Sequence, residues 1–221
     1  MEKRTWFTPR QEQFLELVAR NENFKAHFYF TGGTALSAVY LNHRESHDLD
    51  FFTQKQESLS AVGGLVASTA KKLGWIGMTR EIGFPVNMYV LKWADGTSLK
   101  VDFNYYAFNR LRRGSNVFGI STDSIEDIAA NKFDTIFSRR QARDYVDLFS
   151  IVKSGKINFD TILRLHRKKF MEVDDLAIVK ALLLVNEAQD YPVMKVEFNK
   201  DEMISFFEKV ARKMGSKIFN K

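Results

Sequence analysis

Asp48 and Asp50 stand one residue apart in the run Asp48-Leu49-Asp50-Phe51-Phe52. A strand's period of two turns both carboxylates to one face while Leu49 and Phe51 turn to the other. Two carboxylates side by side repel each other, so a divalent cation is the natural third party. One short helical stretch upstream lies a second group suited to phosphate chemistry, Gly32-Gly33-Thr34. The apolar run Phe28-Tyr29-Phe30 stops at these glycines as a buried strand stops at a turn. Backbone N–H groups exposed where a strand hands over to a helix attract anions, and Thr34 adds a hydroxyl there. The stretch lacks the Gly-Lys-Ser/Thr ending of a P-loop and is not a GxGxxG fingerprint. Alone it reads as a plain turn. With Asp48 and Asp50 one helix later, it reads as a cradle whose phosphates would face a cation.

A third carboxylate comes from further along the chain. Ser98-Leu99-Lys100-Val101-Asp102-Phe103-Asn104 alternates strictly, with Leu99, Val101 and Phe103 on one face and Lys100, Asp102 and Asn104 on the other. Asp102 can join Asp48 and Asp50 if the two strands are neighbours; taken alone, it fits the wet side of a sheet. Lys132 projects from the edge of a helical stripe of Ile125, Ile128, Ala129, Phe133, Ile136 and Phe137, where it either snorkels to water or reaches a polyphosphate. Arg140 with Asp144, and Arg143 with Asp147, have the i,i+4 spacing of surface ion pairs worth about 0.2–0.5 kcal/mol each. Arg110, Arg112 and Arg113 lie close to Tyr105, Tyr106 and Phe108, which suits base stacking and phosphate pairing and equally suits a solvated loop. His43 and His47 adjoin a strand without metal-ligand spacing and receive no zinc role.

The elements that must position these groups follow from periodicity and capping. A helix from Pro9 to Ala19 is capped by Thr8, with Gln11 completing a capping box. Ala35, Leu36, Val39 and Tyr40 recur at the helical period after the glycine turn. A further helix is expected from Gln56 to Leu73, ended by Gly74, then strands over Trp75–Glu81 and Val86–Trp93 and an Asp-Gly turn at Ala94-Asp95-Gly96-Thr97. Ser124 opens the next helix, with Asp127 in the acidic place of a capping box. After the break at Ser154-Gly155-Lys156, three helices are expected near Phe159–Phe170, Asp174–Gln189 and Lys200–Met214, with no strand among them. This places a core domain over residues 1–153 and a helical region over 154–221. Two basic clusters, Arg164-His166-Arg167-Lys168-Lys169 and Lys209-Arg212-Lys213-Lys217-Lys221, suit either a nucleic-acid backbone or the wet faces of a bundle.

Composition bounds the chemistry. A chain of 221 residues with 45% hydrophobic content can bury a core without staples. Cysteine is missing, which excludes disulfides, thiolate zinc sites and cysteine nucleophiles and fits a reducing cytosol. Met1 to Trp6 has no apolar run behind it, so no signal peptide is expected, and no apolar run approaches the roughly 18 residues of a membrane span. A net charge of +6 favours an anionic partner.

Taken together, Gly32-Gly33-Thr34-Ala35-Leu36, Arg44-x-Ser46-x-Asp48-Leu49-Asp50-Phe51, Lys100-Val101-Asp102-Phe103, and Asp127 through Lys132 to Arg143-Asp144-Tyr145-x-Asp147-Leu148 resemble the AbiEii/AbiGii-type nucleotidyltransferases. These are toxins of abortive-infection and type IV toxin–antitoxin systems with a polymerase-β-like nucleotidyltransferase core. The resemblance spans roughly Phe28 to Ile151 with every motif position intact. It implies an α+β fold, a mixed sheet flanked by helices, plus a C-terminal helical region. It implies that Asp48 and Asp50 bind Mg²⁺ (or Mn²⁺), and that Asp102 completes the metal site and helps deprotonate the attacking hydroxyl. Gly32, Gly33 and Thr34 would hold the triphosphate of an NTP substrate, Lys132 would contact its phosphates, and Arg143 and Asp144 would shape the site. The implied reaction is metal-dependent transfer of a nucleoside monophosphate to RNA, notably tRNA ends, in the cytoplasm, with a separately encoded antitoxin as partner and no membrane association. Two alternatives stand beside it: the same fold acting on a small molecule or protein, and a nucleotide-binding interaction module without turnover. Three acids near a phosphate cradle argue against the last.

Overall fold

The computed structural model describes residues 6–170 and 173–219. Met1–Thr5, expected to carry no signal peptide, and Lys221 of the basic tail lie outside the described residues. Packing divides the chain into two units, one of Met1–Tyr40 with Ser46–Ser124 and one of Leu41–Glu45 with Ile125–Lys221. The expected boundary after Lys153 falls inside the second unit.

The first unit opens with α1 (Pro9–Val18), whose capping box is formed: the Gln11 N–H donates to Thr8 Oγ1 at 3.3 Å and the Thr8 N–H to Gln11 Oε1 at 2.8 Å. The same buried Gln11 donates through Nε2 to the carbonyls of Ser46 and His47, at 2.9 and 3.0 Å, and so ties down the approach to Asp48. A short α2 (Glu22–His27), capped by Asn21, precedes β1 (Tyr29–Thr31), which turns directly into α3 (Gly32–Ala35) and a π-helical turn over Leu36–Leu41. Then come β2 (Leu49–Thr53), a 3₁₀ segment over Gln56–Ala61, and α4 (Val62–Leu73), ended by Gly74 at φ 68°. The single helix expected over Gln56–Leu73 begins as 3₁₀ where the Leu59 carbonyl accepts from Asn87 Nδ2 at 3.0 Å. The remaining strands are β3 (Gly77–Ile82), β4 (Val86–Lys92), β5 (Ser98–Tyr105), β6 (Arg113–Val117) and β7 (Ile120–Asp123).

The seven strands form one mixed sheet in the order β3-β4-β5-β2-β1-β7-β6. Neighbours β2 and β5 are parallel, as are β1 and β7, while β1 and β2 are antiparallel. Alternation sorts the side chains by face. On one face Phe30, Phe51 and Phe103 are fully buried, Phe51 stacks on Phe103 at 5.4 Å, and Phe24 of α2 meets both edge-on. The other face carries Thr31, Asp50, Lys100 and Asp102. Burial of the aromatic face fixes the register, because a slip of one residue would carry the carboxylates into the phenylalanine core.

The second unit consists of α5 (Ile125–Ser138), α6 (Ala142–Lys153), α7 (Phe159–Lys169), α8 (Asp175–Leu183) with a 3₁₀ turn over Leu184–Glu187, and α9 (Lys200–Phe219). Phe133, Tyr145, Ile162, Leu182, Met203 and Phe207 are among its buried side chains. The segment Leu41–Glu45 belongs here because it pairs with the stretch between α8 and α9. The Glu45 N–H donates to the Val193 carbonyl at 2.8 Å, and the Lys195 N–H to the His43 carbonyl at 2.9 Å. No strand signal marks this stretch in the sequence, since a two-residue pairing is too short to show a period.

Several charged groups are placed differently from the expectation. Asp127, expected as a capping acid at the helix start, is buried and accepts from Lys169 Nζ at 2.7 Å. His166 is buried among Phe133, Phe137 and Phe170. The first basic cluster is therefore partly core. Among the described residues, no helix is long and apolar enough to cross a membrane.

Candidate active site

Asp50 and Asp102 are direct Cα partners across the parallel β2–β5 pair, a lateral spacing of about 4.8 Å. Asp48 stands two residues before Asp50 at the entrance to β2. Lys100, two residues before Asp102 and on its face, sends Nζ to within 2.7 Å of Asp102 Oδ2 and 3.5 Å of Asp48 Oδ2. Burial by itself would lower the pKa of Lys100. The hydrogen bond and charge of Asp102, with the charges of Asp48 and Asp50, outweigh that and raise it. Among the described residues no group of three or more His, Cys, Asp or Glu side chains is drawn together tightly enough to hold a metal ion as they stand. These acids surround an ammonium instead, and their hard carboxylate oxygens are the donor type that Mg²⁺ and Mn²⁺ prefer.

Local chain chemistry holds this group in place. Gly32 has φ 78°, in the left-handed region, and a Cβ there would run into the Asp50 carboxylate, whose Cγ would lie 2.8 Å away. The glycine is thus required twice, by backbone and by room for Asp50. Gly32→Ala is expected to displace that carboxylate and to destabilise by about 1–2 kcal/mol. Nucleotide transfer more than tenfold lower, with melting only slightly reduced, is the expected pair of results; unchanged transfer would show that Asp50 has no need of its present position. Thr34 is buried, and its hydroxyl donates to the Asp48 carbonyl and lies 2.8 Å from Ser46 Oγ. That hydroxyl holds Asp48, so what this turn offers a phosphate is main-chain N–H. Thr31, the residue before α3, makes no side-chain cap and donates to Asp123 Oδ2 at 2.7 Å.

Lys132, Arg143 and Asp144 belong to the second unit. Lys132 is buried, with Nζ 2.8 Å from Asp144 and 2.7 Å from Asp147. Asp147 also accepts from His43 Nε2 at 2.8 Å and from Arg44 Nε and Nη2 at 2.6 and 2.9 Å. Asp144 accepts from Arg139 Nε and Nη2 at 2.7 and 3.0 Å. The expected i,i+4 pairs are not formed. Arg140 reaches Glu187 at 2.6 Å and Arg143 reaches Gln141 at 2.9 Å, because both aspartates face inward, where cations from other elements meet them. Burial alone would raise both carboxyls. The charges of Lys132 and Arg44 hold Asp147 well below the usual carboxylate range, and those of Lys132 and Arg139 lower Asp144.

Sequence reasoning assigned no role to Lys100 or Asp123, read Arg110 only as part of a basic aromatic loop, and paired Asp147 with Arg143. The period of two already put Lys100 on the face of Asp102. Asp123 is buried, accepts from Thr31 and pairs with Arg110 Nε at 2.9 Å. It had no signal, since the four residues of β7 are mostly polar.

The fold is that of a nucleotidyltransferase, and solved structures share it. JHP933 from Helicobacter pylori matches with a TM-score of 0.59 and 20% identity over 96% of this chain and 91% of that one. MenT4, a nucleotidyltransferase toxin of Mycobacterium tuberculosis, matches with a TM-score of 0.60 and 15% identity over 93% and 81%. An uncharacterised protein of Aquifex aeolicus (strain VF5) is 27% identical over 82% of this chain and 85% of its own length. The family model described as nucleotidyl transferase AbiEii toxin, type IV TA system, matches residues 13–217, and the chain belongs to that family.

Proposed function

We propose that this nucleotidyltransferase moves a nucleoside monophosphate from an NTP to the 3′ hydroxyl of an RNA, a tRNA end in the first instance, and that a separately encoded antitoxin restrains it in the cytoplasm. The observation that carries the reading is the pairing of Asp50 with Asp102 on adjacent parallel strands, with Asp48 on the same face and Gly32 leaving room for Asp50. Asp48, Asp50 and Asp102 would hold Mg²⁺ or Mn²⁺, with Lys100 moving aside; its side chain is one-third exposed, which leaves it room to do so. A divalent cation there would offset the charge that develops on the attacking and leaving oxygens.

Asp102 orients the acceptor hydroxyl and takes its proton as the new bond from that oxygen to the α-phosphorus forms. The bond from the α-phosphorus to the bridging oxygen breaks, and pyrophosphate leaves. Main-chain N–H groups at Gly33 and Thr34, with Gly32 shaping the turn, hold the triphosphate, while the Thr34 hydroxyl fixes Asp48. Lys132 meets phosphate oxygens, and Asp144 orients its ammonium. Arg143 lines the nucleotide site.

Incubation with each labelled NTP, Mg²⁺ or Mn²⁺, and total RNA tests the reading. Label is expected in RNA from one NTP in preference to the others. Label confined to protein or small molecules would replace the acceptor. Triphosphate binding without pyrophosphate release would make the chain a binding module.

A further inference from the structure

We infer that the first unit carries a platform for an unpaired nucleic-acid strand, built from an aromatic ladder beside a basic cleft at the C-terminal end of β2. The inference rests on the RNA-acceptor reading and specifies which form of RNA the chain accepts.

The ladder begins inside the fold and ends in solvent. The Arg110 guanidinium lies 4.4 Å from the ring centre of Tyr29. Tyr29 meets Phe52 at 6.1 Å, Phe52 meets Tyr106 at 4.6 Å, and Tyr106 meets Phe108 at 5.3 Å. Phe108 is 42% exposed, and Phe52 and Tyr106 are half-buried. Phe108 is the outermost ring of the four. Here its backbone is braced, since Gln54 Nε2 donates to the Phe108 carbonyl at 3.1 Å and to Asn109 Oδ1 at 3.0 Å. Phe52 is two residues beyond Asp50 on the same sheet face, about 7 Å along the strand. The rings therefore start next to the carboxylates and lead away from them.

The cleft adjoins the ladder through Tyr29 and Arg110. It encloses about 650 Å³, and its lining includes Lys25, Lys55, Arg110, Arg112 and Arg113 with no acidic side chain. Arg110 is spent on Asp123 and Lys25 pairs with the exposed Glu22, and the same lining also carries Lys55, Arg112 and Arg113. Partly exposed rings beside a cationic groove suit a single strand: bases stack on Phe108 and on the open parts of Tyr106 and Phe52 while phosphates follow the cations, with little regard to sequence. A duplex fits poorly, because its bases are already stacked on one another and cannot reach the rings. The platform would thus select an unpaired end and lead it toward Asp102.

Fluorescence anisotropy of the full chain, without NTP or divalent metal, tests this with a labelled single-stranded ribo-oligonucleotide of about 12 nucleotides, within the usual site sizes, and with its duplex. The single strand is expected to bind at least about tenfold more tightly than the duplex, and Phe108→Ala to remove about tenfold of that affinity. Phe108→Leu keeps apolar bulk without a π-face and should remain weak. Arg112→Gln with Arg113→Gln should flatten the salt dependence by about 0.7 for each phosphate that is no longer neutralised. Equal binding of the two probes, or full affinity in Phe108→Leu, would overturn the platform. RNA labelling that persists in a chain insensitive at Phe108 would sink the platform alone. Single-strand binding at the ladder with no labelling of RNA would keep the platform and sink the proposed function.

Discussion

Replacing Asp50 or Asp102 with asparagine is expected to lower nucleotide transfer about a thousandfold while leaving the fold intact. Each asparagine keeps the shape of the side chain and removes the charge that a divalent cation requires. A loss of about 4 kcal/mol of transition-state stabilisation corresponds to that factor. Stability should move the other way or not at all. Asp48, Asp50 and Asp102 share one sheet face and repel each other, with Lys100 as their common counter-charge, so removing the Asp50 charge relieves repulsion in the free protein, while in Asp102→Asn the lost ion pair with Lys100 offsets that gain. Initial rates with saturating NTP and metal, read beside thermal melting of the same variants, separate the two effects. Transfer within tenfold of the parent in Asp50→Asn would mean that the chemistry lies elsewhere. A melting temperature falling in step with activity would mean that the carboxylates serve the fold.

Asp147→Asn is expected to act in the opposite manner, destabilising the helical unit by about 3–5 kcal/mol. Removing one partner of a buried ion cluster leaves the others uncompensated, and here Lys132, Arg44 and His43 all lose an acceptor. The pH dependence has a definite sign. The Asp147 carboxyl lies well below its ordinary value in the folded chain. Its contribution is therefore complete above the unfolded pKa of about 4 and is lost as pH falls below that toward the folded value. The parent should hold its stability from neutral pH down to about 5 and lose it steeply below about 4. Asp147→Asn should be weaker at pH 7 and fall less steeply in acid. Urea titrations at about pH 7 and about pH 3.5, on either side of the ordinary aspartate value, measure both slopes. Stability within about 1 kcal/mol of the parent at neutral pH would refute the role given to this cluster.

The Asp147 cluster also qualifies how Lys132 is to be studied. Lys132→Ala removes the cation between two buried carboxylates, so lost activity in that variant reports unfolding as well as phosphate binding. The Asp50 and Asp102 variants are the cleaner probes because both stand on strands of the first unit, where asparagine keeps the shape of the side chain.

What the sequence determined by itself was local. A period of two placed Asp48 with Asp50, and Lys100 with Asp102, since successive side chains on a strand must alternate. Thr8 and Gln11 announced their capping box, and Gly32-Gly33 their turn, because such signals lie within a few residues of one another. Tertiary structure decided that the two acidic faces are one face. That depended on β5 lying beside β2 in parallel register, a pairing of residues far apart in the chain which no local period encodes. It also decided the partners of the charges. Arg140 and Arg143 had the right spacing for Asp144 and Asp147, worth a few tenths of a kcal/mol in water. Both aspartates are instead buried, and a buried carboxylate demands cations from wherever the fold can bring them: Lys132 and Arg139 for Asp144, and Lys132 with Arg44 for Asp147. Burial sets that demand, and burial is a property of the folded chain.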